Sequence, residues 1–115
     1  MNNRFVFIMP AFNAEKTISR SITSVVFQTY PHWKIIIRDD MSTDGTVQQI
    51  KNIQQQIPDG ENKISYVVNS EKKWEVANIL DMLKECEPDD IICRLDADDW
   101  LTDCDALTII DHSYR

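Results

Sequence analysis

The sequence predicts an α/β fold in which a mainly parallel sheet is flanked by helices. Two observations lead there. Apolar runs of strand length alternate along the chain with segments whose apolar residues recur at helical spacing. The runs are also apolar almost throughout, as expected of strands buried on both faces under helices rather than of half-solvated hairpins.

Phe5-Val6-Phe7-Ile8-Met9 is the first run, closed by Pro10. Ile18, Ile22, Val25 and Val26 then mark an amphipathic helix that ends before Pro31. Asn13 is the expected N-cap of this helix, with Glu15 in its first turn. Trp33 to Ile37 is a second strand, followed by Arg38-Asp39-Asp40 and the turn-forming Met41-Ser42-Thr43-Asp44-Gly45. A second helix carries Val47, Ile50, Ile53 and Ile57 and stops at Pro58-Asp59-Gly60. Ile64 to Val68 is a third strand. Val76, Leu80 and Leu83 share one face of a third helix, which stops near Pro88. Asp90 to Leu95 is a fourth strand, and a last helical stretch carries Leu107, Ile109 and Ile110. Right-handed crossovers fix most of the topology, and the pattern is Rossmann-like. With only two glycines in the chain, a glycine-rich phosphate loop is excluded.

The 115 residues fit one domain, 1–115, able to bury roughly two-thirds of its unfolded surface without staples. Cys86, Cys93 and Cys104 form no CxxC pair and read as free thiols of a reducing compartment. The net charge of −7, from 19 acidic and 12 basic residues, argues against a nucleic-acid partner. An acidic protein that handles a phosphorylated ligand needs a cation as intermediary. The apolar run at the N-terminus is too short for a signal peptide or membrane span, so a cytoplasmic protein is expected, peripheral at a membrane if attached at all.

In open α/β sheets ligands bind beyond the carboxyl ends of the strands. Three of the predicted strands end in polar clusters there: Pro10-Ala11-Phe12-Asn13, Asp39-Asp40 and Asp96-Ala97-Asp98-Asp99. The last places three carboxylates within four residues, where a divalent cation relieves their repulsion. Hard oxygen ligands with no nearby His or Cys suit Mg²⁺, Mn²⁺ or Ca²⁺ better than zinc. A solvated turn that caps the next helix is the plainer alternative. The Asp39-Asp40 pair reads equally as a helix-capping loop or as an acceptor for a base or ribose donor. Trp74 and Trp100 suit core or rim packing better than sugar stacking, and His32 and His112 read as isolated.

Four segments in order carry a resemblance: Met9 to Asn13, Ser24-Val25-Val26-Phe27-Gln28-Thr29-Tyr30, Ile36 to Thr46, and Leu95 to Asp99. Together they resemble the N-terminal half of family 2 glycosyltransferases, inverting enzymes of GT-A fold. The resemblance implies that Asp40 recognises the uracil of a UDP-sugar, with Asp39 in the same pocket. It implies that Pro10, Ala11 and Phe12 line the nucleotide, with Asn13 and Glu15 just after them. Asp96 and Asp98 match the family's Asp-x-Asp, the first facing the ribose and the second the metal, Mn²⁺ or Mg²⁺. Asp99 is a further metal candidate, because some relatives use the adjacent pair. Where the family often has Arg-Asn in the third helix this chain has Ala77-Asn78, so a phosphate-facing cation is expected elsewhere, from Lys72 or Lys73.

The resemblance implies a metal-assisted, inverting transfer of sugar from a nucleotide donor to a glycan or lipid-linked acceptor. The family's catalytic base belongs to a second, acceptor-binding half, and nothing after Asp99 resembles that half. The base is expected beyond Arg115, and the chain to be truncated before the acceptor half. Apolar surface exposed by truncation would favour a homo-oligomer. The rival expectations are a donor-binding module without turnover and a nucleotidyltransferase. The second lacks its glycine-rich basic loop here.

Overall fold

The computed structural model describes residues 3–102 and 106–107. The elements are β1 (Phe5–Ala11), α1 (Ile18–Val26), β2 (Trp33–Asp39), α2 (Thr46–Gln56), α3 (Gly60–Lys63), β3 (Ile64–Val68), α4 (Trp74–Leu83) and β4 (Ile91–Arg94). All pairings are parallel and the strand order is β3-β2-β1-β4. The chain winds outward from β1 to β3, then returns past β1 to lay down β4 on its other side. The reversal between β1 and β4 opens a crevice at their carboxyl ends.

The sheet has helices on both faces. Phe5, Phe7 and Met9 of β1 and Ile35 and Ile37 of β2 point to one side, against Ile18, Ile22 and Val25 of α1 and Ile50 and Ile53 of α2. Val6, Ile8 and Ile36 point to the other, against Met82 and Ile79 of α4. The central stretches of both strands, Phe5 to Met9 and Ile35 to Ile37, are therefore apolar for the predicted reason. β1 runs two residues past the predicted end, through Pro10, which pairs in register with Arg38. The carbonyls of Arg4 and Ile8 face β4, so the nitrogen of Pro10 faces that side too, beyond the last β4 pairing at Ile8–Arg94. No ladder bond is lost there.

Several expectations are corrected. The outer strands are not buried on both faces: Val67 and Val68 of β3 and Ile92 of β4 are exposed, because edge strands are covered less completely than central ones. α1 begins at Ile18, with Thr17 at its cap position, so Asn13 is not its N-cap and Glu15 is not in its first turn. Asn13 instead adopts a left-handed φ of 48° and turns the chain toward the β2–α2 loop. α2 ends at Gln56, leaving Ile57 extended beyond the helix. A single turn, α3, follows left-handed Asp59; it brings Gly60 so close to α2 that an added Cβ would lie 1.8 Å from the Gln54 carbonyl oxygen.

α4 presents a different face from the one predicted. Asn78 and Met82 are buried, whereas Val76, Leu80 and Leu83 are exposed at 71%, 54% and 37%. Polar pairs lie on this face beside the apolar contacts of Met82 and Ile79. The Asn78 carbonyl accepts from the Asn69 amide at 2.6 Å, and Glu85 just past the helix pairs with Arg38 of β2 at 2.9 Å. Periodicity ranks faces by hydrophobicity and cannot weigh a buried amide pair. Ile109, Ile110, Cys104 and His112 lie outside the described residues. Cys86 and Cys93 are free, and burial pushes both thiols up. Among the described residues no helix is long and apolar enough to cross a membrane.

The amino end of the sheet is clamped by one ion pair. Arg4 before β1 donates Nε and Nη2 to the two carboxylate oxygens of Asp90 before β4, both at 2.7 Å, and Asp90 also accepts the Glu87 N–H. The Asp90 side chain is 4% exposed, and its bond to Arg4 holds its carboxyl below the usual range. Arg4→Ala is expected to lower stability by about 1.5–3 kcal/mol, the range for hydrogen bonds to charged groups, as a reduced urea midpoint at unchanged slope.

Candidate active site

At the carboxyl edge of the sheet a cleft of about 500 Å³ opens between the ends of β1 and β4 and the start of α4. Pro10 and Ala11 line it from the end of β1, Phe12 and Asn13 from the loop after it, Asp40 from just past β2, and Asp96, Ala97 and Asp98 from the segment after β4. Two residues expected at the site, Asp39 and Glu15, stand elsewhere, and a third belongs to the acidic cluster but not to the cleft lining. Asp39 is fully buried, and its carboxylate accepts the Ser42 N–H at 3.0 Å and the Ser42 hydroxyl. It closes the turn after β2 rather than sharing Asp40's pocket, because successive strand residues point to opposite sides. Glu15 accepts the Gly45 N–H at 2.6 Å. Asp99 lies outside the cleft lining but inside the acidic cluster.

The loops after β1 and β2 are zipped together. The N–H groups of Asn13 and Ala14 donate to the hydroxyls of Ser42 and Thr46, both at 2.8 Å, and the Thr43 N–H donates to the Asn13 side-chain oxygen at 2.8 Å. The Ser-Thr-Asp-Gly-Thr stretch therefore caps its neighbour, while Asp44 accepts the Thr46 N–H at the start of α2 at 3.0 Å. This is how the first strand's end is held open toward the cleft.

Asp40 is the most heavily bonded group in the site. It is 4% exposed. One carboxylate oxygen accepts the Asn69 amide at 3.0 Å and the Lys73 N–H at 2.8 Å; the other accepts the Trp74 N–H at 2.9 Å and faces the Lys72 ammonium at 3.5 Å. Burial alone would raise its pKa, but the Lys73 N–H, the Asn69 amide, the Trp74 N–H and the Lys72 charge outweigh that and hold it at about 2. It is also an anion at the amino end of α4, placed from another strand. Lys72 sits 3.2 Å over the Phe12 ring and 4.9 Å over that of Trp74. Lys73 is committed to Asp81 at 3.2 Å and does not line the cleft.

Trp74, at a left-handed φ of 67° and 70% exposed, forms the rim of the cleft. Trp100 is half-exposed beneath the Arg20 guanidinium, 3.6 Å from its ring. Polar residues missed in the sequence include Thr17, Glu75 and Arg94 of the cleft lining and Asn69, which bonds Asp40. Asn69 ends β3 as a polar strand-end residue, the same signal that singled out the other three strands. Arg94 stands two residues before Asp96 and donates Nε to its carboxylate at 2.8 Å, while Nη2 pairs with Glu75. Strand alternation puts positions 94 and 96 on one side.

Carboxylate oxygens of Asp96, Asp98 and Asp99 all lie within 4.8 Å of one another. Oxygens opposite each other on an octahedral Mg²⁺ are about 4.2 Å apart, so a small movement closes the set on an ion. Asp98 and Asp99 are exposed and free to make it. The donors are hard oxygens, and the residues fit a metal of that class.

A parallel α/β sheet with acids at its carboxyl edge is an arrangement that GT-A glycosyltransferases share with other nucleotide-binding α/β proteins. Two solved structures show the same fold. S. aureus TarS in complex with UDP superposes with a TM-score of 0.77 over 96% of this chain and 31% of that one, at 21% identity. The mannosyltransferase PcManGT from Pyrobaculum calidifontis, in complex with GDP-Man and Mn²⁺, superposes with a TM-score of 0.83 over 98% of this chain and 32% of that one, at 22% identity. The chain belongs to glycosyl transferase family 2, whose family model matches residues 6–112. EpsE of Bacillus subtilis (strain 168), which carries a glycosyltransferase name, is 35% identical over 92 residues. That match takes in 80% of this chain and 32% of EpsE, so the chain spans about a third of that relative's length. The Escherichia coli enzyme WfgD, a UDP-Glc:alpha-D-GlcNAc-diphosphoundecaprenol beta-1,3-glucosyltransferase, is 56% identical over 39 residues, 34% of this chain and 15% of WfgD.

Proposed function

We propose that this chain is the donor-binding part of a metal-dependent, inverting glycosyltransferase that takes a UDP-sugar. The observation that carries the reading is the convergence of the β1 end, Asp40 and the Asp96–Asp98 pair on one cleft. Its volume, about 500 Å³, lies in the range of small-molecule sites. The UDP complex of TarS and the UDP-Glc named for WfgD support the donor class, and the Mn²⁺ beside GDP-Man in PcManGT supports the metal. The lipid-linked acceptor named for WfgD supports the same acceptor class here.

In this reading Asp40 accepts the imide N–H of uracil. Lys72, its longest contact at 3.5 Å, is the partner that yields. Phe12, half-exposed, offers an apolar ring on the same wall. Asp96, Asp98 and Asp99 would hold Mn²⁺ or Mg²⁺, whose charge would offset that developing on the departing diphosphate. The attacking hydroxyl would be deprotonated by a base outside this chain.

Titrating UDP into the chain by calorimetry, with and without Mn²⁺, tests the proposal. Binding is expected to be at least about tenfold tighter with the metal, a coupling of about 1.4 kcal/mol. Equal affinity in both titrations, or no heat in either, would overturn it.

A further inference from the structure

Two cations line the cleft, and the structure commits them differently. Lys72 belongs to the Asp40 end, where it faces that carboxylate and stacks on Phe12. Arg94 belongs to the acidic end. Its guanidinium bridges Asp96 and Glu75, two carboxylates that approach from β4's own continuation and from the first turn of α4. Two of its five N–H donors are spent on them. The side chain is 42% exposed and lines the cleft, so its remaining donors can reach a ligand.

Asp96 is thus claimed by two cations at once: the guanidinium that now holds it, and the divalent ion that the acidic cluster fits. A divalent ion drawn to Asp96 arrives a few ångströms from a fixed positive charge, and the two repel. A diphosphate removes the conflict, because its oxygens accept from a planar guanidinium in the bidentate manner that a carboxylate does. Resting on the donor-site reading above, we propose that Arg94 is a phosphate-binding residue that exchanges partners. It holds Asp96 while the cleft is empty and passes to the diphosphate when the metal takes Asp96. Metal and nucleotide then bind as a coupled pair, each weak without the other. Glu75 is the second carboxylate that competes with the diphosphate for the guanidinium.

Free Mn²⁺, measured by electron paramagnetic resonance with the intact chain, and UDP, measured by calorimetry at saturating Mn²⁺, test this. Arg94→Gln is expected to bind Mn²⁺ alone about 3- to 10-fold more tightly than the parent, since a competing positive charge is gone. The same variant is expected to lose about 10- to 30-fold in UDP affinity, with Arg94→Lys recovering part of the loss. A purely structural clasp predicts no gain in metal affinity, so unchanged or weaker Mn²⁺ binding, or unchanged UDP binding, overturns the proposal. Should Arg94→Gln fail to fold, Glu75→Gln decides. Releasing the outer anchor should tighten UDP binding with Mn²⁺ by about threefold, and no change or a loss overturns the exchange. If the parent shows no metal-coupled UDP binding, the donor-site reading itself falls; if the parent does and the variants match it, only the role of Arg94 falls.

Discussion

Asp40→Ala is expected to destabilise the fold by about 3–5 kcal/mol, measured by urea unfolding at neutral pH. The substitution strands the Asn69 amide, the N–H groups of Lys73 and Trp74, and the Lys72 ammonium around a vacant volume. Each buried donor left without its acceptor carries its own desolvation cost. The same carboxylate predicts a pH dependence with a definite sign. Its folded pKa of about 2 lies below the ordinary 3.8, so the charged form is favoured in the native state. Its contribution, about 2 kcal/mol, is complete above the unfolded pKa and is lost as pH falls from about 4 to about 2. The acid limb of the stability curve should flatten over that window in Asp40→Ala. A parallel limb in both proteins would show that the carboxylate is not held as described. Asp40→Asn keeps the volume but sets an amide donor against existing donors, so it should recover only part of the loss.

Asp98→Asn should act in the opposite sense on stability and far more strongly on the proposed function. In the metal-free chain three carboxylates share a small region, and removing one charge relieves repulsion on the order of 1 kcal/mol between exposed groups. Stability should hold or rise slightly, and rise less at high salt. Mn²⁺ affinity should fall by at least about 100-fold, since even the loss of a hydrogen bond to a metal ligand commonly costs 10- to 100-fold. Metal-dependent UDP binding should fall with it. A variant that loses stability and keeps its Mn²⁺ affinity would mean that the cluster caps the following segment and binds no ion.

The sheet was legible because its signals are local. Phe5 to Met9 is apolar without interruption and Trp33 to Ile37 is broken only by Lys34, as strands covered from both sides require. The location of the cleft was legible for a related reason: parallel strands deliver every strand end to the same edge. Asn69 shows how that rule can be under-used, since it ends β3 as Asp40 follows β2 and meets it at 3.0 Å. The turn chemistry was half legible. Asn13, Glu15 and Asp39 were recognised as polar and capping, but their partners proved to be Thr43, Gly45 and Ser42, two of the three on a neighbouring loop.

The order of elements, the parallel sheet and the edge on which the acids gather follow from the sequence itself, because hydrophobic period and strand direction are written residue by residue. What each polar residue does was decided by the tertiary structure. It turned α4 so that Asn78 is buried and Leu80 is not, set Asp39 and Asp40 to different tasks, and laid Arg94 between Glu75 and Asp96. Hydrophobic burial adds up along the chain and leaves a pattern there. A hydrogen bond or ion pair needs one particular partner at about 3 Å, and only the folded chain supplies it.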